Sequence, residues 1–255
     1  MRDSVPRIFE VLEEGDVPAA FWRYFSVDPA RRGSNPQGLL ERTVQALLRV
    51  ETPRGRVLSV GCGYGLHEVL LAALVPEADR IVGVDILDDK KSAEKIRTMQ
   101  AILRRLRLGR VTAMLADAGR LPFRSGSFDA VVAIDCLSHA DYVREHLSLE
   151  AGQALLLREM VRVTGPRGLV AVLENNLLSP RNVMSKHGTM CHPVNPFFLR
   201  SILKRSGFPR TRVLPFYDLH GRRDLPARAA GAVLRMSRSL GLFVAPWFVL
   251  TARRG

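Results

Sequence analysis

Three glycines at alternate positions, Gly61, Gly63 and Gly65 in VGCGYG, lie between a short apolar run and a helical pattern. Glycine at such a turn lets a ligand approach the backbone closely and permits positive φ. Acids then close the next apolar runs. Asp85 ends RIVGVD twenty residues after Gly65, where a carboxylate can accept hydrogen bonds from both hydroxyls of a ribose. Asp117, in LADAGRLPF, is placed to accept from the exocyclic amine of an adenine ring. Either acid alone reads equally well as a helix cap or turn residue, but successive strand ends with suitable chemistry point to a ligand. A dinucleotide loop would need a third glycine at position 66, which is Leu66, so the spacing is GxGxG and not GxGxxG. His139, in DCLSHADY, is the candidate general base, and the alternative is a structural histidine. His187 and His192, in MSKHGTMCHP, are further candidates or plain loop residues.

Those residues need elements to hold them. RVLSV, RIVGVDI, RVTAMLAD, FDAVVAID and GLVAVLENN read as five strands rich in Val, Ile and Leu on both faces. LHEVLLAAL, DDKKSAEKIRTMQAILRRLR and LSLEAGQALLLREMVRVT read as the helices between them, with Pro166 and Gly168 marking the passage into the fifth strand. The expected fold is therefore α/β, a doubly wound and mostly parallel sheet covered on both sides. Residues 1–50 read as an N-terminal helical extension, with DPARRGSNPQG as a loop, and residues 51–255 as the main domain. Within it, 54–176 form the core and 177–255 an acceptor-side and basic segment: an irregular stretch, a helix in PFFLRSILKRSGF, a strand in RTRVLPFY, a basic helix near 225–240 and a last strand in FVAPWFVLTA.

The ordered series VLSVGCGYG, IVGVDI, ADAGRLPFRSGSFDAVVAIDCLSH and LLLREMVRVTGPRGLVAV resembles the class I S-adenosylmethionine-dependent methyltransferases, in particular the small-molecule type with an LPF…SFD signature. That resemblance implies a Rossmann-like, seven-stranded sheet with the last strand antiparallel, and S-adenosylmethionine as cofactor. It implies that Gly61, Cys62, Gly63 and Gly65 lie under the methionine portion, that Asp85 and Ile86 hold ribose and adenine, that Asp117 and Ala118 hold the adenine edge, and that Asp135 lines the methionine end. The family usually has an acid where this chain has Ser59, two residues before the first glycine. Serine accepts a hydrogen bond but lacks the charge, which leaves affinity weaker unless another acid, such as Asp135, compensates.

The expected reaction is methyl transfer to a small-molecule, saccharide or lipid-linked acceptor, preferably at oxygen. The alternatives are an RNA methyltransferase and a non-catalytic protein that only binds the cofactor. The net charge of +13 is uneven: the last eighty residues carry fourteen Arg or Lys against Asp218 and Asp224, a net +12. Such charge suits an anionic partner, be it phosphate, an anionic acceptor, RNA or an acidic membrane surface, or merely solubility. Arg222, Arg223, Arg228, Arg235 and Arg238 lie in or before the basic helix, which leaves peripheral membrane contact open. LGLFVAPWFVL spans only eleven residues, too short to cross a bilayer, and acids near the N-terminus break any signal-peptide core, so the expectation is a cytoplasmic protein. Cys62, Cys136 and Cys191 form no CxxC pair, and neither a disulfide framework nor a metal site is expected, including at His187, Cys191 and His192.

Overall fold

The computed structural model describes residues 36–86, 90–143, 147–180, 192–216, 241–243, 245 and 247–255. Its strands are β1 (Arg56–Val60), β2 (Arg80–Asp85), β3 (Val111–Leu115), β4 (Phe128–Ile134), β5 (Thr164–Asn175), β6 (Arg210–Phe216) and β7 (Trp247–Arg253). They form one seven-stranded sheet in the order β3-β2-β1-β4-β5-β7-β6. Strands β1 to β5 run parallel, while β7 runs antiparallel to both β5 and β6. The α-helices are α1 (Pro36–Val50), α2 (Leu66–Leu74), α3 (Lys90–Arg105), α4 (Leu149–Val163) and α5 (Pro196–Arg205).

Two apolar clusters, one on each face, account for the doubly wound arrangement. Alternate residues of β1 divide between them: Val57 joins α1, α2 and α3 in one cluster, whereas Leu58 joins α4 and α5 in the other. Helix α3 follows from the spacing of its buried set Ile96, Met99, Ile102 and Leu103. Ser148 accepts the Ala151 N–H to start α4, and Asn195 accepts those of Phe197 and Phe198 to start α5. Helix α1 begins at Pro36, inside the segment expected to be loop, because proline is preorganised for a first helical turn. Its Val44 and Leu47 are buried in the same cluster as β1.

One boundary differs from expectation. Pro166 and Gly168 were expected to separate α4 from the fifth strand, yet β5 begins at Thr164, directly after the helix. Thr164 pairs with Phe128 and Leu169 with Ala130, so the intervening residues bulge out of the ladder. Pro166 is tolerated there because a bulge requires no ladder N–H from it. The last strand likewise starts later than the apolar run, at Trp247. The basic helix expected near 225–240, with its five arginines, and the proposed N-terminal helices before residue 36 lie outside the described residues.

Helix α4 packs unusually close to the segment after β4. A Cβ on Gly152 would lie 2.5 Å from the Ala140 carbonyl oxygen. Gly152→Ala should therefore lower the unfolding free energy by about 1–3 kcal/mol through overpacking, measurable by urea titration.

Candidate active site

Between β1 and α2 the chain makes the glycine turn. Gly61, Gly63 and Gly65 all have positive φ, at 75°, 53° and 79°. The amides of Gly61 and Cys62 both donate to the Val84 carbonyl, at 2.8 and 2.9 Å, which pins the turn against β2. The three glycines are small for different reasons. A Cβ on Gly61 would meet Cys136 Sγ at 2.6 Å, and one on Gly65 would run into the Met99 side chain, so these two serve internal packing. At Gly63 the nearest atom is Asp85 Oδ2 at 3.9 Å, and the turn is open.

Asp85 faces that opening. Its Oδ2 accepts the Gly63 N–H and its Oδ1 accepts the Ile86 N–H at 2.8 Å. The Ala116 amide donates to the Asp85 carbonyl at 2.8 Å, so the next acid stands on the adjacent strand end. There, Asp117 Oδ1 accepts the Gly119 N–H at 2.7 Å, and Ala118 is buried beside it. A carboxyl group carries two oxygens with about four lone pairs, more than the two bonds named at Asp85. The LPF turn that follows is clamped by Arg162, which donates to the carbonyls of Phe123 at 2.8 Å and Leu121 at 3.0 Å.

Ser59 has a partner that its own sequence neighbourhood did not suggest. Its hydroxyl donates to Oε1 of Glu68, a fully buried residue in the first turn of α2. Glu68 Oε2 has no hydrogen-bond partner among the described residues. Burial raises the Glu68 carboxyl to about 7, with Asp85 adding to the rise and the Ser59 hydroxyl opposing it. Asp135, the acid named as able to compensate for Ser59, makes no hydrogen bond to Ser59 among those described. It bonds instead to Asn175 Nδ2 at 3.3 Å and Ser138 Oγ at 3.4 Å. The acid supplied to Ser59 comes from a helix, because the turn folds α2 back beside β1.

Beyond β4, Asp135 adopts φ 52° and the chain enters a 3-10 segment, Leu137–Val143. Glu174, fully buried at the end of β5, accepts the amides of Cys136 at 2.7 Å and Leu137 at 2.6 Å. Gln153 Nε2 donates to the Leu137 carbonyl at 3.3 Å. These bonds fix the backbone that carries His139, which is half-buried and interrupts the segment with φ −113° and ψ 20°. The exposed His192 returns to the same place, its amide donating to the Ser138 carbonyl at 3.1 Å. His187 and Cys191 lie outside the described residues. Burial holds the Cys62 and Cys136 thiols well above their ordinary range, so both stay protonated. No metal-holding group of three or more His, Cys, Asp or Glu occurs among the described residues.

The strand-end carboxylates, the opening at Gly63 and the unpartnered oxygen of Glu68 suit a ligand with hydroxyls to donate and positive charge to neutralise. Comparison with known proteins identifies it. Residues 58–172 match the methyltransferase domain family. Residues 58–172 thus form a methyltransferase domain, and the cofactor implied is S-adenosylmethionine. The chain is 30% identical over 135 residues to a ubiquinone/menaquinone biosynthesis C-methyltransferase of Geotalea daltonii, matching 53% of this chain and 51% of that protein. It is 26% identical over 227 residues to an O-methyltransferase of Aspergillus sclerotiorum, covering 86% of this chain and 77% of the relative. A solved S-adenosylmethionine-dependent methyltransferase of Archaeoglobus fulgidus shares the fold, with TM-score 0.60 and 18% identity over 91% of this chain and 99% of that one. The chain thus spans about half the length of the quinone methyltransferase and most of the fungal one.

Glu68 and Glu174 are the site residues that sequence reasoning missed. The available signal was an acid within an otherwise apolar run, LHEVLLAAL and GLVAVLEN. Burial, with the adjacent Asp135 adding to it, raises the Glu174 carboxyl to about 8. A raised carboxyl keeps its proton in the folded state, so its contribution to stability is fully present below about 4.5 and is lost as pH rises towards 8. Melting temperature should fall between pH 5 and 8 in the wild type. In Glu174→Gln that fall should be shallower, read by scanning calorimetry across the same range.

Proposed function

We propose that the protein transfers the methyl group of S-adenosylmethionine to an oxygen of a small-molecule acceptor. The observation that carries this reading is Asp85, tied to Gly63 at the open part of the turn and one strand from Asp117. When bound, the cofactor supplies a methyl group on a cationic sulfur, which is already electrophilic. Asp85 would accept from the ribose hydroxyls and Asp117 from the adenine amine. Gly63 would let the cofactor lie against the backbone, with Cys62 and Ile86 flanking it and Asp135 at the methionine end. The remaining task of the chain is to hold the acceptor in line.

An alcohol or phenol acceptor must lose a proton as it attacks, and His139 would take it. The backbone around His139 is fixed by Glu174, Gln153 and Gly152, and His192 joins the same rim. Transfer to oxygen, not carbon, is supported by the fungal O-methyltransferase relative, whose match covers more of the chain than the quinone C-methyltransferase does. The acceptor would be recognised by the less similar segments that follow β5.

Calorimetry and product analysis test this together. Asp85→Ala should weaken S-adenosylmethionine binding at least tenfold. His139→Ala should leave that affinity intact while slowing turnover on the order of 100-fold. Methyl-labelled cofactor incubated with a cell extract should leave label in small molecules as O-methyl groups. Label confined to RNA, or full activity in His139→Ala, would replace the respective part of the reading.

A further inference from the structure

Glu68 is a charged residue type inside a helix whose other buried members, Leu66, Val69, Leu70, Leu71 and Ala72, are all apolar. Its Oε1 accepts the Ser59 hydroxyl, a bond that ties the end of β1 to the first turn of α2 across the glycine turn, while its Oε2 has no partner among the described residues. The carboxyl therefore closes the base of Gly61–Gly65, and its field reaches both the Cys62 thiol and the Asp85 carboxylate. Every titratable group that acts on it is acidic. Neither α3, whose Met99 packs on Gly65, nor α1 brings a cation to bear on it among the described residues. An isolated buried carboxylate is costly, so the group stays neutral unless a positive charge arrives.

We propose that Glu68 is the counter-ion for the cationic end of the cofactor, held as a neutral acid in the free protein and ionised when the cofactor binds. The O–H bond of its carboxyl breaks, the proton passes to the buffer, and the carboxylate remains beneath the turn opposite the ligand's positive charge. This rests on the cofactor assignment and adds a proton to its binding equilibrium. A purely structural role for Glu68 would require only a hydrogen-bond acceptor for Ser59, which glutamine also provides.

The test is isothermal calorimetry of the full chain with S-adenosylmethionine, at pH 6.0 to 7.5, in pairs of buffers that differ in ionisation enthalpy. The wild type should release close to one proton at pH 6.0 and bind more tightly as pH rises to 7.5. Glu68→Gln should release none, bind at least tenfold more weakly and lose the pH dependence. Glu174→Gln should keep the release, while Ser59→Ala should shift it to higher pH, because the hydroxyl that favours ionisation is gone. Binding without proton release, release that persists in Glu68→Gln, or release lost only in Glu174→Gln would overturn the proposal and leave the cofactor assignment standing. No binding at all would overturn both.

A separate feature lies at the opposite end of the sheet. A cavity of about 580 Å³ is lined by Arg54, Arg210, Arg212 and Arg253 together with Glu51, Leu48 and Val50. Arg210 stands directly across the ladder from Arg253, an unfavourable pairing of like charges. Only Arg253 has an acid, Glu51, while Arg54, Arg210 and Arg212 have none among the described residues. We infer that this cavity binds the phosphate group of an organic phosphate, since guanidinium forks match phosphate oxygens.

With inorganic pyrophosphate as probe, the full chain should bind with a submillimolar dissociation constant, and Arg210→Ala/Arg212→Ala should weaken this at least tenfold without altering affinity for the cofactor. Sedimentation with phosphatidylglycerol vesicles separates the two sources. Vesicle binding that the double variant loses assigns the site to a lipid headgroup, and its absence assigns it to a soluble phosphate. Pyrophosphate binding that is absent, or unchanged in the double variant, overturns the proposal.

Discussion

Backbone amides at the carboxyl ends of parallel strands have lost their ladder partners but remain partly or wholly buried, and the strand ends are built around supplying acceptors to them. Gly61 and Cys62 use the Val84 carbonyl, Gly63 and Ile86 use the two oxygens of Asp85, and Cys136 and Leu137 share Glu174. Leaving one such group unpaired costs about 1–3 kcal/mol, comparable with a sizeable part of a domain's net stability. Carboxylates meet this need with two acceptor atoms each and have lone pairs to spare. Asp85, one of the residues that hold the strand ends together, thereby also stands at the open part of the glycine turn.

The same economy makes the site strongly acidic at its base. Glu68 and Glu174 are both fully buried, and burial raises both carboxyls into or beyond the neutral range. Glu159, in contrast, is held below its usual range by Arg162, and together they clamp the LPF turn. One acid is thus charged and paired, as a structural ion pair should be. The two behind the strand ends have no such cation among the groups acting on them, and protonation takes its place.

The family model covers the part of the chain where this constraint operates. The family match stops at residue 172, inside β5, and the sheet is then completed by the antiparallel pair β6 and β7. Among the described residues, no helix is long and apolar enough to cross a membrane.

Local pattern in the sequence determined the five parallel strands, their helices and the places of Gly63, Asp85 and Asp117, because apolar runs and strand-end acids report on near neighbours along the chain. The serine at position 59 stood out only against the family that the sequence resembles. Only the tertiary structure decided what Ser59 bonds, since Glu68 is nine residues away and is brought back by a turn whose path depends on Val84 in another strand. It likewise decided that Gly61 and Gly65 are small for Cys136 and Met99, and that Glu174 holds the segment carrying His139. Contacts of this kind join residues from different elements, and no periodicity along the chain records which side chain a neighbouring strand will present.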